Sequence, residues 1–291
     1  MLAKDRNHAF NRGDRSETPL IHLDSGDGAP QDGGVPRRRA PSAVAPRSPD
    51  VLDAGAALET LRLVLLKQGS AQRAAAERRY LKSDLDFLGV GVPVVRREAK
   101  AFVRAHPELG RKDLRAIAEH AWSSRVHELR SVAIAILECG ARWLDAADAR
   151  WLIALVRGAN TWAHVDWLAI KVLGPLVAHH PSLGRELDRW AEDDNFWVRR
   201  TALLAWHDPL MAGQGDFDHF ARLAVPMLGD REFFIRKAIG WVLRSTAKRT
   251  PERTYRFVEE HARELSGLSF REATRNLPEA QQERLRARRG G

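Results

Sequence analysis

The chain has 291 residues, of which 44% are hydrophobic and 29% charged, enough to bury a substantial core without metals or disulfides. Its single cysteine, Cys139, lies in the apolar run VAIAILECG, so we expect a small buried side chain rather than a catalytic thiol. No stretch reaches the roughly 18 uncharged apolar residues that a membrane span needs, and the N-terminus lacks a signal-peptide pattern. These features exclude a membrane protein and predict a cytoplasmic one.

The formal charge of +9 is concentrated in the part of the chain that can fold. Residues 1–50 hold eight basic and seven acidic side chains, so nearly all of the excess belongs to residues 51–291. A basic globular surface is typical of a protein that binds a polyanion, although a merely solvated basic face is the alternative.

Residues 1–50 are rich in proline, glycine, serine, aspartate and arginine, and show almost no apolar periodicity. Such a composition buries too little apolar surface to offset the entropy of ordering, so we predict a disordered N-terminal extension. The cluster Arg37, Arg38 and Arg39 could add affinity for phosphates, and a solvated tail or an over-long start is the alternative.

From residue 51 onward the pattern is helical, with apolar residues three and four apart and Gly or Pro turn markers between segments. We predict one helical-repeat domain over residues 51–291, with roughly twelve helices in about six pairs. The inner helices of the central pairs are predicted to begin near Arg125, Thr161, Phe196 and Phe233. The outer helices are predicted to begin near Arg111, Ala146, Leu183 and Phe217.

Four of these helices carry an internal repeat. Aligning His127, Trp162, Trp197 and Phe234 gives steps of 35, 35 and 37 residues, the period of a solenoid of helical pairs. In this register the aromatic residues are packing positions. Function is then expected where a residue departs from the repeat, namely at Asp166, Arg200 and Trp241.

Trp162 and Asp166 are four residues apart and therefore project from one face of a helix. On spacing alone the structural interpretation is favoured, in which Trp162 packs between repeats and Asp166 caps a helix or pairs with an arginine of the next one. The histidines lack a partner set at metal-ligand spacing, and no glycine-rich phosphate loop is present. We expect neither a metal nor a cofactor.

Five motifs in order carry a resemblance to a known family. They are YLKSDLDFLGVGVP from Tyr80, NTWAHVDW from Asn160, NFWVRRTALL from Asn195, EFFIRKAIGWVLR from Glu232 and LSFREATRNL from Leu268. Over residues 55–277 the chain resembles the AlkD-like DNA alkylation repair family. The resemblance implies an all-α solenoid of HEAT-like repeats that forms a concave DNA-binding surface. One departure is Ala163, where relatives often have a polar or acidic residue.

The resemblance also implies a site. Trp162 and Asp166 match a tryptophan and an aspartate that line the family's cleft, Trp241 matches a second cleft tryptophan, and Arg200 matches an arginine that contacts the DNA backbone. Further candidates for DNA contact in the matched motifs are Tyr80, Trp197, Arg236 and Lys237. The implied function is that of a monomeric DNA glycosylase, which removes cationic N3- and N7-alkylpurines such as 3-methyladenine and 7-methylguanine from duplex DNA in base excision repair.

Two other functions stay open. Some relatives keep the fold, lose the catalytic aspartate and bind DNA without cleaving a bond, and other helical repeats are scaffolds for proteins. The presence of Asp166 argues against the first function, and the combination of Trp162, Arg200 and Trp241 argues against the second.

Overall fold

A computed structural model describes residues 52–290 of the chain. The predictions for residues 1–50 lie outside the described residues. The chain divides into two units at Asp50, and the second unit, Val51–Gly291, contains everything described below. It is all-α, as predicted: over residues 52–290 strand pairing is limited to one isolated bridge between Asp86 and Val126.

Sixteen α-helices follow one another along residues 52–290. In chain order they are α1 Ala54–Leu66, α2 Ala71–Leu81, α3 Val92–Ala105, α4 Arg111–Ser123, α5 His127–Cys139, α6 Ala149–Arg157, α7 Trp162–Trp167, α8 Gly174–His179, α9 Gly184–Ala191, α10 Phe196–Leu204, α11 His207–Met211, α12 Phe217–Ala224, α13 Phe233–Ala247, α14 Pro251–Glu260, α15 Gly267–Thr274 and α16 Glu279–Gly290.

The helices form two layers with the core between them. In the inner layer, α3, α5, α7, α10, α13 and α15 pack side by side in that order. The second, outer layer contains α4, α9, α12 and α14, which pack against the inner layer. The predicted starts of the inner helices are confirmed within two residues. The core is mainly aliphatic, and its fully buried side chains include Leu114, Ile134, Leu152, Leu168 and Ile170.

Two of the four helices beyond the predicted twelve arise because two inner segments are interrupted. After α7 the chain forms one turn of π-helix, Leu168–Leu173, before α8. Pro175 in the first turn of α8 has no N–H and its ring crowds the preceding turn, so it cannot continue a regular ladder of hydrogen bonds back to Lys171. The second interruption separates α10 from α11 at residues 205–206.

The repeat register predicted from the aromatic residues is wrong by one residue in two repeats. The first helical residues of α5, α7, α10 and α13 are 35, 34 and 37 residues apart, so Trp162 is equivalent to Phe196 and Phe233 rather than to Trp197 and Phe234. The N-cap of α7 is Thr161, whose side chain accepts from Ala163, whereas the N-cap of α10 is Asn195. Asn160 and Thr161 are both good N-cap residues, so the sequence left the start of α7 ambiguous.

In the corrected register one position is polar throughout. The fifth residues of α5, α7, α10 and α13 are Ser131, Asp166, Arg200 and Lys237. These side chains lie on successive helices of one layer, so Asp166 and Arg200 are neighbours in space.

The motif that begins at Tyr80 holds α2 and α3 against this layer. The buried carboxylate of Glu128 in α5 accepts hydrogen bonds from the backbone N–H groups of Leu88, Gly89 and Val90 at 3.0, 2.7 and 3.1 Å. Gly89 has φ +76°, and a Cβ atom there would lie 2.1 Å from the carbonyl oxygen of Ser70. Glycine is therefore required at this point of the motif.

Candidate active site

Asp166 and Arg200 form a two-point ion pair between α7 and α10. Nε of Arg200 donates to Oδ1 of Asp166 at 2.7 Å, and Nη2 donates to Oδ2 at 2.8 Å. This fork geometry fixes the plane of the carboxylate. Both residues are buried, at 6% and 3% exposed, so water screens their attraction weakly.

The guanidinium of Arg200 is held on its remaining side by α13. Nη1 of Arg200 donates to the carbonyl oxygen of Phe234, and Cζ lies 5.6 Å from the centroid of the Phe234 ring. Three helices of one layer therefore meet at this side chain. Burying such a pair costs desolvation energy, which is offset in part by the three hydrogen bonds that the guanidinium donates, two to Asp166 and one to Phe234.

Trp162 is the first residue of α7, one turn before Asp166, and its indole is partly buried. Its ring meets Tyr80 of α2 in an edge-to-face contact, with centroids 5.6 Å apart and planes at 84°. Tyr80 is 36% exposed, unusual for a large aromatic side chain. The indole and the phenol thus form an aromatic surface beside the ion pair.

Trp197 lies deeper than the other aromatic candidates. It is 9% exposed, and its ring packs on Phe234 at 4.7 Å between centroids and on Phe196 at 4.3 Å. This contact places Trp197 in the packing between α10 and α13.

Trp241 of α13 contacts a histidine. Its partly buried ring lies 5.0 Å from that of His207 of α11, with planes at 60°. Trp241 is flanked along α13 by Lys237 and Arg244, and both cations bond to the carboxylate of Glu272 in α15. The Lys237 contact is 2.7 Å long, and its side chain is 17% exposed.

Arg236 makes a contact that recurs in other repeats. It is the fourth residue of α13, and the fourth residues of α5 and α10 are also arginines. Each donates to the backbone carbonyl six residues earlier and so anchors the loop before its helix. The three bonds run from Arg130 to Ser124 at 3.0 Å, from Arg199 to Asp193 at 2.8 Å and from Arg236 to Asp230 at 2.7 Å.

The structure thus joins Asp166 directly to Arg200, and Arg200 to the helix that carries Trp241. Of the residues predicted to contact DNA, Arg200, Arg236 and Lys237 all make hydrogen bonds within the protein. Sequence reasoning missed Glu272, which holds Lys237, and His207, which contacts Trp241. The sequence around His207 shows only a proline, which is typical of a turn and lies within α11, so no signal pointed to the histidine.

A cavity of about 850 Å³ lies elsewhere, between α6 and α9, and is lined by Ile153, Arg157, Leu183 and Trp190 among others. None of the predicted site residues lines it. Within residues 52–290 no helix has the length and apolar character that crossing a membrane requires.

Fold and site together define a class: all-helical repeat proteins with a buried carboxylate–guanidinium pair next to aromatic side chains. The model of the DNA alkylation repair enzyme family matches residues 61–277, so the chain belongs to that family. Membership gives it a role in DNA repair and DNA as its partner.

Two solved structures show the same fold. A predicted DNA alkylation repair enzyme from Enterococcus faecalis is 25% identical, with a TM-score of 0.65 over 73% of this chain and 98% of its own. AlkD2 from Streptococcus mutans is 15% identical, with a TM-score of 0.52 over 76% of this chain and 99% of its own. No curated protein matches the chain.

Proposed function

We propose that the protein is a DNA glycosylase that hydrolyses the N-glycosidic bond of cationic N3- and N7-alkylpurines in duplex DNA. The observation that carries the proposal is the carboxylate of Asp166, which two N–H groups of Arg200 hold in one orientation next to Trp162. The protein would act as a cytoplasmic monomer in base excision repair, on 3-methyladenine and 7-methylguanine among other lesions.

The chemistry of the substrate explains why one carboxylate suffices. An N3- or N7-alkylated purine already carries a positive charge and leaves readily, so no strong general acid is needed. Positive charge develops on the deoxyribose as the bond breaks. A fixed carboxylate in a poorly solvated site stabilises that charge and can orient the attacking water.

The pairing with Arg200 leaves Asp166 able to do this. A carboxylate has about four acceptor positions, and Arg200 occupies one on each oxygen. In the proposal the remaining lone pairs face the sugar and a water molecule. Arg200 acts by holding the carboxylate plane and by supplying a positive charge near the DNA backbone.

The tryptophans supply the rest of the sugar's surroundings. Trp162 and Trp241 would present their electron-rich ring faces to the developing cation, a contact of about 0.5–2 kcal/mol each. Both rings are partly buried, so each retains an exposed portion.

DNA contact is proposed for Tyr80, Trp197, Arg200, Arg236 and Lys237. Tyr80 is the most exposed of the aromatic members. Arg236 uses Nε to anchor its loop, which leaves the ends of its guanidinium for phosphate. Lys237 would have to share its ammonium between Glu272 and the DNA.

A second function, binding DNA without cleaving a bond, is favoured by one observation. Asp166 is buried and both of its oxygens are engaged by Arg200, as in a purely structural ion pair. The two functions differ in whether the wild-type protein releases any base.

The test is single-turnover release of 7-methylguanine from methylated duplex DNA by the wild type and by Asp166→Asn. We expect the substitution to lower the rate about 100-fold or more, as for other electrostatic stabilisers, with little change in DNA affinity. Wild-type protein that binds the duplex and releases no base would support the second function and contradict the first.

The substitution also leaves the charge of Arg200 buried, at a cost of about 3 kcal/mol or more in stability, so the assay needs a folding control. Asp230→Asn breaks a comparable pair, since Asp230 accepts from Arg199 at 3.0 Å and both side chains are mostly buried. Asp230→Asn should lower the melting temperature but keep the excision rate of folded protein. Equal losses of rate in the two variants would show that Asp166 acts only through stability.

A further inference from the structure

A chain of hydrogen bonds lies against Trp241 and belongs to none of the roles assigned above. Nζ of Lys171 contacts Oδ2 of Asp208 at 2.6 Å, and Oδ1 of Asp208 contacts Nδ1 of His207 at 2.7 Å. Nε2 of His207 contacts the hydroxyl of Ser245 at 2.9 Å. Both ring nitrogens of His207 therefore have partners, and the imidazole has one fixed orientation.

This series of hydrogen bonds connects three elements of the fold. Lys171 lies in the π-helical turn after α7, His207 and Asp208 begin α11, and Ser245 lies one turn after Trp241 in α13. Burial raises the pKa of Asp208, but hydrogen bonds from His207 and Lys171 leave that pKa below its usual value. The carboxylate is thus a firm anchor for the imidazole.

The backbone at Trp241 is fixed separately by α15. A Cβ atom on the preceding residue, Gly240, would lie 2.6 Å from Cβ of Glu272 and 3.0 Å from the carbonyl oxygen of Ser269. Glycine at this position allows α13 and α15 to approach closely. Because α15 holds the backbone, the Trp241 side chain can move only by rotation about its side-chain torsion angles. The imidazole of His207 lies against the ring that would rotate.

The order of serine, histidine and aspartate resembles the relay of a serine hydrolase, but the burial of these groups argues against that role. Ser245 is 6% exposed and lies within α13, where an incoming carbonyl group could not approach its oxygen. His207 is 8% exposed. The indole of Trp241, which lies against the imidazole, is only partly buried and so keeps some exposed surface.

We propose that His207, held by Asp208 and Ser245, is a positioning residue that sets the orientation of the Trp241 indole. The inference rests on the proposed glycosylase function, in which that indole lies against the deoxyribose. Cation–π attraction depends on the ring face that the cation meets, and displacement of a catalytic group by about 1 Å can cost 100-fold in rate. An indole free to rotate would spend much of its time edge-on to the sugar.

The first experiment is a double-mutant cycle on single-turnover release of 7-methylguanine from duplex DNA, using the wild type, His207→Ala, Trp241→Phe and the double variant. We expect His207→Ala to lower the rate about tenfold and to leave DNA affinity within about twofold, because the lost interaction acts on the bound sugar. Added to Trp241→Phe, it should change the rate by less than about twofold, since the indole it positions is gone. Independent, additive losses would overturn the proposal.

The chain offers a matched control in His219. This histidine is 7% exposed, contacts Oδ1 of Asp188 at 2.8 Å and packs on Trp206 with ring centroids 5.4 Å apart, but it lies in the outer helix α12. His219→Ala should destabilise the fold to a similar degree and leave the excision rate unchanged. A loss of rate as large as that of His207→Ala would mean that the His207 effect is general destabilisation.

A second readout does not depend on catalysis. With ¹⁵N-labelled tryptophan the indole N–H signal of Trp241 can be assigned by its loss in Trp241→Phe. We expect His207→Ala to shift and broaden that signal, and His219→Ala to leave it unchanged. An unchanged Trp241 signal in His207→Ala would overturn the inference even if the protein is a glycosylase. Absence of base excision by the wild type would overturn the proposed function. The Trp241 signal would still show whether His207 sets the orientation of the indole.

Discussion

Asp166 and Arg200 constrain each other because neither can be buried alone. Removing one partner of a buried ion pair leaves an uncompensated charge and costs about 3–5 kcal/mol. The proposed catalytic carboxylate is therefore also a structural element, and its orientation depends on a side chain from the next repeat. Under the proposed function, this coupling gives Arg200 a part in the reaction as well as in DNA contact.

Arg200→Ala should reduce stability and excision together. The carboxylate of Asp166 loses both of its hydrogen bonds, so its orientation and its burial are no longer supported. If Nη1 of Arg200 bonds to a phosphate instead of the Phe234 carbonyl in the DNA complex, the variant lacks one phosphate contact. The slope of the logarithm of the DNA-binding constant against the logarithm of salt concentration should then be smaller in magnitude than in the wild type by about 0.9. Fluorescence anisotropy of the duplex over a salt series measures this slope.

A slope equal to that of the wild type would assign Arg200 to the ion pair alone. Arg199→Ala is the control, since Arg199 is the adjacent arginine of α10 and pairs with Asp230. It should reduce stability without lowering the excision rate of folded protein.

At the scale of elements, the contact between α5 and α7 rests on stacked aromatic and imidazole rings. His127 stacks between Phe87 and His164, with centroids 4.6 and 4.3 Å away. His164 contacts the Ser131 hydroxyl at 3.1 Å, but both nitrogens of His127 and Nδ1 of His164 are buried without a hydrogen-bond partner. Burial, aided by the charge of Arg130, lowers the pKa of His127 to about 3.

This stack predicts a loss of stability in mild acid. The unfolded chain takes up a proton on His127 below its ordinary pKa of 6.5, while the folded protein does so only near 3. The histidine's contribution is therefore present above pH 6.5 and is lost as pH falls toward 3, at up to about 1.4 kcal/mol per pH unit. The pKa of His164 is also lowered, mainly by burial, so it adds to the same slope.

His127→Phe keeps a ring in the stack and removes the titration. Denaturant unfolding measures the free energy of unfolding of both proteins at pH 7 and at pH 5.5. The difference between the two pH values should be smaller for the variant than for the wild type. If both proteins lose the same free energy of unfolding between pH 7 and pH 5.5, the imidazole of His127 takes up its proton in the folded protein as readily as in the unfolded chain.

At the scale of the whole chain, the family match spans residues 61–277, and every proposed site residue lies inside that range. DNA repair is thus assigned to the helical unit. Residues 1–50 have a net charge of only +1 and little apolar surface to dock.

A fragment of residues 51–291 should fold and keep the full excision rate. Its melting temperature should lie within a few degrees of the full-length value, because the core described above lies entirely within it. Loss of Arg37, Arg38 and Arg39 should weaken DNA affinity modestly. Thermal unfolding and single-turnover excision test this, and a large loss in either would show that residues 1–50 complete the fold or the site.

The helical class, the starts of most repeat helices and the residue types of the candidate site could all be predicted from the sequence. Apolar periodicity and turn residues are local signals, and a helical repeat is built mainly from local contacts. The four-residue spacing likewise placed Trp162 and Asp166 on one face of α7 without any knowledge of the neighbouring helices.

The sequence offered an arginine of the next helix as one partner for Asp166, but the packing of the helices determines which arginine it is and what the other site residues contact. The pairing of Asp166 with Arg200 depends on a one-residue register that two adjacent N-cap residues left ambiguous. The bonds of Lys237 to Glu272 and the packing of His207 on Trp241 join residues more than 30 positions apart. Such contacts depend on how the helices approach one another, which hydrophobic periodicity within a single helix does not specify.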